Sequence, residues 1–364
     1  MGDRTMRYQN RLVVIALSIC MICGMPAFSM LSYGDIIVPP HPLAVGEDES
    51  QRPGGDFSGT PAGISGTPIT GGPGVGWQMP GESPSVNPSA AENPANPPMD
   101  SAQDFWQEPQ IAAEGAVLLD GSTGKVLYGK NADQQFYPAS ITKVMTALLV
   151  IERCSLDEWV TFSESATTNL EAGAVSLDIT KGDRLTVEQC LHGLLMKSAN
   201  EIGNGLAEHI AGSVPGFADL MNIRAKELGC TNTNFVNPHG LNDAAHKTTP
   251  HDMALIMRAA LQQEHFRRID MTLTYDFPAT QKSATRTITM GHKMMYPSDS
   301  RYYEGIVGGK TGYTSLAGNT LVTGAEKNGV QLIVVIMKSK QSHYADTKAL
   351  LDYGFANYET LMAR

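Results

Sequence analysis

A serine and a lysine stand three residues apart at the start of the apolar segment "YPASITKVMTALLV", residues 137–150. A serine hydroxyl is a weak nucleophile until an adjacent base takes its proton. Side chains three apart on a helix are neighbours, so Lys143 can reach the Ser140 hydroxyl if both lie in the first turn. The amine becomes a base when burial or a nearby cation lowers its pKa. This pair predicts a serine nucleophile with lysine as its base.

Two further short motifs carry groups that such a reaction needs. "SAN" places Ser198 and Asn200 between two helical patterns, where a hydroxyl can relay a proton and an amide can hold a substrate carbonyl. "GGKTG" places Lys310 in a strand between glycines, which let a substrate lie close along it. Lys310 and Thr311 then offer a cation and a hydroxyl to an anionic substrate end. Taken alone, each motif also fits a helix cap, a polar turn or a glycine-rich bend.

The order and separation of the three motifs are more specific than any one of them. Ser-x-x-Lys, a Ser-x-Asn element and Lys-Thr-Gly in this order are typical of penicillin-binding proteins and class A β-lactamases. The sequence resembles the serine-type D-alanyl-D-alanine carboxypeptidases, the low-molecular-mass penicillin-binding proteins, over about residues 110–360. The resemblance extends to the segments "YPASITKVMTALL", "GDRLTVEQCLHGLLMKSANE", "LAEHIAG", "FVNPHGL", "DMALIMR" and "GGKTGYT".

The resemblance implies a role for each polar residue of the first two motifs. Ser140 would be the acylated nucleophile and Lys143 its base. Ser198 would relay a proton, and Asn200 would align the substrate. The implied reaction is attack on the carbonyl between the two terminal D-alanines of a peptidoglycan stem peptide. D-alanine then leaves, and water releases the shortened peptide.

The third motif would bind the substrate, including its negatively charged carboxylate. Lys310 with Thr311 would hold the terminal carboxylate, and Gly312 and Tyr313 would complete the substrate-binding strand. The N–H groups of Ser140 and Tyr313 would form the oxyanion hole. β-Lactam antibiotics mimic the D-Ala-D-Ala dipeptide and should acylate the serine. The family implies no metal and no cofactor.

Two alternatives to a carboxypeptidase remain. A β-lactamase on the same scaffold needs a carboxylate that activates the deacylating water, usually within Glu-x-x-Leu-Asn. The segment "SESATTNLEAG" holds Glu164 and Glu171, but in a different arrangement. The other alternative is a catalytically silent penicillin-binding module that senses the wall. The complete set of motif residues argues against that alternative, because a protein freed from catalysis need not keep them all.

Local signals around the motifs predict both strands and helices. Two apolar runs flank the turn "GSTG" at 121–124, which is typical of a hairpin. Asn328-Gly329 predicts a second hairpin between "NTLVTGA" and "VQLIVVIMKS". Thr186 and Gln189 have the spacing of a capping box ahead of a buried helix.

The order of these elements predicts an α+β fold. A first hairpin, a helical block, further strands and a final helix are the order of an antiparallel sheet that joins both chain ends beside a helical subdomain. Thr249-Pro250 should begin one helix and Gly229 should end another. Gly203 and Gly205 are expected to loosen the helix after "SAN". The resemblance implies a β-lactamase/transpeptidase-like fold with the active site between the sheet and the helical subdomain.

The N-terminal part differs in composition from residues 106–364, the predicted catalytic domain. Residues 1–34 place arginines before an apolar run, which predicts a signal peptide or a membrane anchor. Residues 35–105 hold 13 of the 21 prolines and nine acids against Arg52, so they predict a disordered acidic Pro/Gly-rich spacer. The protein is therefore expected to be exported, to the extracellular face of the cell membrane or to the cell wall, and a retained anchor would associate its N-terminus with the membrane.

The remaining composition argues against several other classes. A net charge of −10 without a basic stripe argues against nucleic-acid binding. Of the five cysteines, Cys154, Cys190 and Cys230 lie in apolar helical patterns and are expected to be buried thiols. Neither a disulfide framework nor a metal site is predicted from them. His239 is expected in a turn near the cleft and His209 on a helix face.

Overall fold

A five-stranded antiparallel sheet forms the centre of the protein. The computed structural model describes residues 107–168, 170–171 and 173–364. The strands of the sheet are β1 Gly115–Asp120, β2 Val126–Lys130, β7 Ile306–Thr314, β8 Gly318–Lys327 and β9 Val330–Ser339. Two short antiparallel pairs lie outside it: β3 Trp159–Thr161 with β4 Arg184–Thr186, and β5 Thr274–Phe277 with β6 Arg286–Thr289. The strand order of the central sheet is β2-β1-β9-β8-β7.

Most helices fall between β2 and β7, and two follow the last strand. They are α1 Lys143–Arg153, α2 Glu164–Thr168, α3 Val187–His192, α4 Asn200–Ala211, α5 Val214–Glu227, α6 Pro250–Leu261, α7 Glu264–Asp270, α8 His343–Ala356 and α9 Tyr358–Ala363. Tight 3-10 turns cover Ala139–Thr142 and Lys293–Met295, and a π-helical turn covers Gly193–Lys197. This order confirms the predicted α+β fold.

The strand β9 lies at the core of the molecule. Every residue from Leu332 to Met337 is fully buried, although successive side chains point to opposite faces of the sheet. Both faces are covered because α6 and α8 pack against this strand. A continuous apolar run in place of an alternating one is what a strand covered on both faces requires.

The two ends of the described chain meet in this sheet. Strand β1 pairs with β9 along its whole length, with Gly115 opposite Met337. Asp346 on α8 accepts hydrogen bonds from the N–H groups of Ala112 and Ala113, at 3.1 and 2.9 Å. The predicted closure of the sheet by both chain ends is therefore confirmed.

The strongest local sequence signals form the predicted structures. Gln189 N–H donates to the Thr186 hydroxyl at 3.2 Å, and Thr186 N–H donates to the Gln189 side-chain oxygen at 2.9 Å, which completes the capping box. Asn328 and Gly329 have φ of +52° and +80°, as a two-residue hairpin turn needs. Thr249 caps α6 by accepting from the Asp252 N–H.

The glycines after "SAN" do not loosen their helix, contrary to the expectation. Helix α4 runs without interruption, and a Cβ placed on Gly205 would lie 2.3 Å from the Phe162 ring. The absence of a side chain at Gly205 therefore lets α4 pack closely against the Phe162 ring. Asn204 uses its amide to donate to the Ala166 carbonyl at 3.3 Å.

The cysteines only partly follow the prediction. Cys190 and Cys230 are buried, but Cys230 lies in a turn after α5, and Cys154 is partly exposed just beyond the end of α1. The predicted segments 1–34 and 35–105 lie outside the described residues. Within the ranges that the structure describes, no helix combines the length and the apolar character needed to cross a membrane.

Candidate active site

Ser140 lies in the tight turn that precedes α1, not in the helix itself. Its neighbour Ala139 has φ +51°, in the left-handed region that disfavours residues with a Cβ. The turn is fixed to the sheet by Thr320 on β8, whose hydroxyl donates to the Pro138 carbonyl at 2.8 Å. Strained backbone of this kind persists where the surrounding structure determines it, and it is common at functional sites.

A loop also fixes the start of α1. His246 accepts at Nδ1 from the Val236 N–H at 3.1 Å, so the ring proton lies on Nε2 and is donated to the Thr142 hydroxyl at 2.9 Å. The Thr146 hydroxyl donates to the Pro238 carbonyl at 2.6 Å. These contacts hold the loop that contains Pro238 against the helix that carries the lysine.

Gly240 in this loop touches the strained turn directly. It has φ +87°, and a Cβ there would lie 1.8 Å from the Ala139 carbonyl oxygen. Replacing Gly240 by alanine should therefore lower the free energy of unfolding by about 2 to 5 kcal/mol, from both the backbone conformation and the clash. Gly212→Ala is the matched control, because its φ is +73° and, among the described residues, no atom from another part of the fold lies within 4 Å of the added Cβ.

Thermal or denaturant unfolding of the two variants measures the difference. The control should lose only about 1 to 2 kcal/mol, from the left-handed backbone alone. Equal losses in both variants would mean that the close approach of Gly240 to Ala139 does not matter.

Three oxygen atoms surround the Lys143 amine, which is fully buried. Lys143 Nζ lies 3.1 Å from Ser140 Oγ, 2.8 Å from Asn200 Oδ1 and 2.7 Å from the His239 carbonyl oxygen. Both carbonyl oxygens can only accept, so each takes one N–H of the amine. In a neutral amine the remaining position is the lone pair, and it faces the serine hydroxyl. This geometry suits proton removal from Ser140.

Two effects favour the neutral form of this amine. Burial is the larger cause, and the nearby Lys310 cation adds to it, so the pKa of Lys143 lies well below its usual value. The Glu201 carboxylate acts in the opposite direction. The structure thus provides the desolvated lysine that the sequence predicts.

Asn200 connects the lysine to a loop beside the site. Its side-chain N–H donates to the Val175 carbonyl at 2.9 Å, while its oxygen accepts from the lysine. The next residue, Glu201, accepts from the Leu177 N–H at 2.6 Å and from the Ser176 hydroxyl at 2.8 Å. The start of α4 therefore contacts both Lys143 and this loop.

Ser198 is the one predicted catalytic residue whose side chain makes no hydrogen bond among the described residues. It ends the π-helical turn with φ +64°, and its buried Oγ has no partner there. Leaving a buried hydroxyl without a hydrogen bond costs free energy. This hydroxyl is therefore suited to form a hydrogen bond with a substrate or a water molecule.

The strand β7 runs next to Ser140. Lys310 is buried, and its Nζ donates to the Thr311 carbonyl at 2.8 Å. A Cβ on Gly312 would lie 2.4 Å from Thr320 Oγ1 and 2.8 Å from the Ser140 nitrogen. Only glycine lets the strand approach Ser140 this closely, which explains the glycine after Lys-Thr.

A buried carboxylate lies beside β7. Asp270 at the end of α7 accepts from the Gly309 N–H at 2.6 Å. Burial raises the pKa of Asp270 to about 7, although this N–H and the Lys310 cation lower it. Burial also lowers the pKa of Lys310 to about 8, with Asp270 acting in the opposite direction. Lys310 therefore still carries most of its charge at neutral pH.

Two of the predicted catalytic residues, Ser140 and Asn200, line a cavity of about 300 Å³. Tyr313, at 67% exposure, forms part of its rim. The residues that line it are Ser140, Glu171, Gly173, Ala174, Val175, Asn200, Gly240, Leu241, Asn242, Tyr313, Thr314 and Ser315. The fold thus brings Ser140, Asn200 and the end of strand β7 to one cavity, and Lys143 and Lys310 are themselves buried.

Sequence reasoning missed several residues of this site. His239 lies in a turn near the cleft as expected, but it acts through its backbone carbonyl, which accepts from Lys143. The Val175 carbonyl and Gly240 were not predicted either. The glycine in "NPHG" was the available signal, because a glycine in a turn marks a position where backbone can approach closely.

The comparisons with known proteins agree with this geometry. A family model described as D-alanyl-D-alanine carboxypeptidase, peptidase S11, matches residues 102–341. D-alanyl-D-alanine carboxypeptidase DacF of Bacillus subtilis is 34% identical over 254 residues, which are 68% of this chain and 63% of that protein. DacC of Escherichia coli, a protein with the same description, is 31% identical over 72% of this chain and 66% of its own length. The chain thus spans slightly less than two thirds of these relatives.

Solved structures are similar over nearly their whole length. The D-alanyl-D-alanine carboxypeptidase of Mycobacterium tuberculosis has a TM-score of 0.62 and 29% identity, over 69% of this chain and 93% of that one. The Streptomyces K15 DD-transpeptidase has a TM-score of 0.63 and 29% identity, over 69% and 99%. These neighbours confirm the predicted transpeptidase-like fold. The chain therefore belongs to the peptidase S11 family of D-alanyl-D-alanine carboxypeptidases.

Proposed function

We propose that the protein is a serine carboxypeptidase that removes the terminal D-alanine from peptidoglycan stem peptides. The family and the geometry around Lys143 support this function. In the first step, Ser140 Oγ attacks the carbonyl carbon of the penultimate D-alanine, and Lys143 takes the hydroxyl proton. The N–H groups of Ser140 and Tyr313 stabilise the oxyanion.

The leaving D-alanine needs a proton on its nitrogen, and the substrate needs an anchor for its carboxylate. The unpaired Ser198 hydroxyl is the proposed relay that passes the proton from Lys143 to this nitrogen. Lys310 with Thr311 is the proposed carboxylate site, because a buried cation forms strong charge-assisted hydrogen bonds. Water then attacks the Ser140 ester, with Lys143 again as the base, and releases the shortened peptide.

The observation that carries the proposal is the arrangement of the three oxygen atoms around Lys143 Nζ. Two carbonyl oxygens accept its N–H groups, so the lone pair of the neutral amine faces Ser140 Oγ. The direct test measures D-alanine released from a peptide that ends in D-Ala-D-Ala. A peptide ending in D-Ala-L-Ala is the matched control and should release far less alanine. A folded protein that neither releases D-alanine nor becomes labelled by fluorescent penicillin would contradict any enzymatic function of this site and favour the silent wall-sensing module.

A β-lactamase is the second candidate, because Glu171 lines the same cavity as Ser140. A carboxylate near the acyl-enzyme could activate the deacylating water. Comparing benzylpenicillin turnover with D-alanine release separates the two functions. Rapid hydrolysis of the antibiotic without D-alanine release would favour the β-lactamase, whereas stable acylation by the antibiotic supports the carboxypeptidase.

The rate of acylation of Ser140 should have a bell-shaped pH dependence. Lys143 must be neutral to act as a base, so the rate should rise as the pH passes its lowered pKa. Lys310 must keep its proton to bind a carboxylate, so the rate should fall through about pH 8. Rate constants for labelling by fluorescent penicillin, measured from acid to alkaline pH, check both limbs. If the rate kept rising as the pH passed the pKa of Lys310, the proposal that protonated Lys310 binds the carboxylate would be contradicted.

The proposed location is the extracellular face of the cell membrane or the cell wall, with a role in peptidoglycan biosynthesis and cell shape. The arginines and the apolar run within residues 1–34 support export. Mass spectrometry of the N-terminus of the protein from its own cells distinguishes a cleaved signal from a retained anchor. An N-terminus that begins near residue 30 or 35 indicates cleavage, and an intact one indicates anchoring.

A further inference from the structure

Three metal-ligating side chains meet at the ends of the two helices that carry catalytic residues. Cys154 follows α1 directly, and His209 lies in the last turn of α4. Glu158 comes from the segment just before β3. The helix α1 begins with Lys143 and α4 begins with Asn200, so each helix has a catalytic residue at one end and one of these side chains at the other.

The donor atoms of the three side chains are close together. The Cys154 sulfur, a Glu158 carboxylate oxygen and a His209 ring nitrogen all lie within 4.8 Å of one another. His209 Nε2 and Glu158 Oε2 are 3.2 Å apart. Tetrahedral zinc bonds of the usual lengths place ligand atoms about 3.3 to 3.8 Å from each other. Small side-chain shifts are therefore enough to reach a zinc geometry.

The surroundings allow an ion to enter and orient one ligand in advance. The three residues line a surface cavity of about 330 Å³ together with Arg153 and Ile210. The Ser155 N–H donates to Glu158 Oε1 at 2.6 Å and leaves Oε2 directed to His209. Outer hydrogen bonds of this kind orient metal ligands. The Arg153 cation opposes metal binding.

The set of donors selects the type of ion. A thiolate, an imidazole and a carboxylate suit Zn²⁺ and similar transition metals, whereas Ca²⁺ and Mg²⁺ require oxygen ligands. One thiolate and one carboxylate also balance the two positive charges of the ion. Three protein ligands leave the fourth tetrahedral position to water.

We propose that Cys154, Glu158 and His209 form a zinc site that joins the far ends of α1 and α4. The site lies along the helices about 16 Å from Lys143 and about 14 Å from Asn200. Its ion holds together the two helices whose first residues share the hydrogen bond between Lys143 and Asn200. The proposed site connects the two helices and is separate from the chemistry at Ser140.

Cobalt provides the most direct test, because a Co²⁺–thiolate bond gives a charge-transfer band in the near ultraviolet. The full-length chain, first freed of metal with a chelator, should bind one equivalent of Co²⁺ with this band, and Zn²⁺ should displace it. Cys154→Ser should abolish the band, and His209→Gln should weaken binding at least about tenfold. A hundredfold excess of Zn²⁺ over its dissociation constant should raise the Tm by about 5 to 10 °C.

His251→Gln is the matched control. His251 lies 3.2 Å from the Asp133 carboxylate, the same separation as in the His209–Glu158 pair, and among the described residues no cysteine is grouped with His251 and Asp133. This variant should keep the cobalt band. Absence of a saturable band in the parent protein, or a band that persists in Cys154→Ser, would overturn the proposal. The Tm of each variant in chelator should match the parent, which separates loss of metal binding from loss of folding.

Discussion

Replacing Ser140 by alanine should abolish covalent labelling by fluorescent penicillin and lower D-alanine release by at least about 10³-fold. The reason is that, among the described residues, Ser140 Oγ is the one hydroxyl in contact with the Lys143 amine, whose two other contacts are carbonyl oxygens. Gel fluorescence measures the label, and a coupled assay for D-alanine measures the reaction.

The fold should survive this change. Ser140 is only partly buried, and its position depends on backbone contacts such as that of Thr320 with the Pro138 carbonyl. Ser122→Ala, an exposed position in the β1–β2 turn, is the control and should keep both activities. A Ser140→Ala variant that still becomes labelled would place the nucleophile elsewhere.

Replacing Lys143 by methionine should slow acylation of Ser140 by about 10²- to 10⁴-fold, the usual contribution of a general base. Methionine keeps the apolar length of the buried side chain but removes the lone pair that faces the serine. It also leaves Asn200 Oδ1 and the His239 carbonyl without their shared donor. Rate constants for penicillin labelling, measured with saturating probe, report the loss.

Lys310→Met is the matched comparison, because it also removes a buried lysine of the same site. This change should lower the catalytic efficiency about 10- to 100-fold through lost carboxylate binding. The loss should appear mainly in KM, whereas that of Lys143→Met should appear in kcat. If both variants changed KM alone, Lys143 would be an anchor and not the base.

Local sequence patterns predicted much of the fold, because helix caps and tight turns are determined by residues that are close together in the chain. The capping box of Thr186 and Gln189 and the turn at Asn328-Gly329 depend on neighbours in the chain. The short strand β5 was not predicted. It has only four residues and pairs only with β6, so it carries little apolar periodicity.

The site was predictable only in part, because its geometry depends on distant residues. The motifs identified Ser140, Lys143 and Asn200 as residues of the candidate site. The His239 carbonyl comes 96 residues after the lysine that it contacts, and no local pattern encodes that approach. The catalytic and binding roles of all these residues, Ser140 and Lys143 included, stay predictions until a bound substrate or the proposed variants test them.

The pairing of β1 with β9 has a consequence for biosynthesis. The ribosome makes β1 (residues 115–120) long before its partner β9, which ends at Ser339. The pairing of β1 with β9 therefore cannot form until nearly the whole chain has been made. Contacts of such long sequence separation form slowly, because a large loop has to close first. A ribosome that stalled before residue 330 would release a product without the middle strand and without a working cleft.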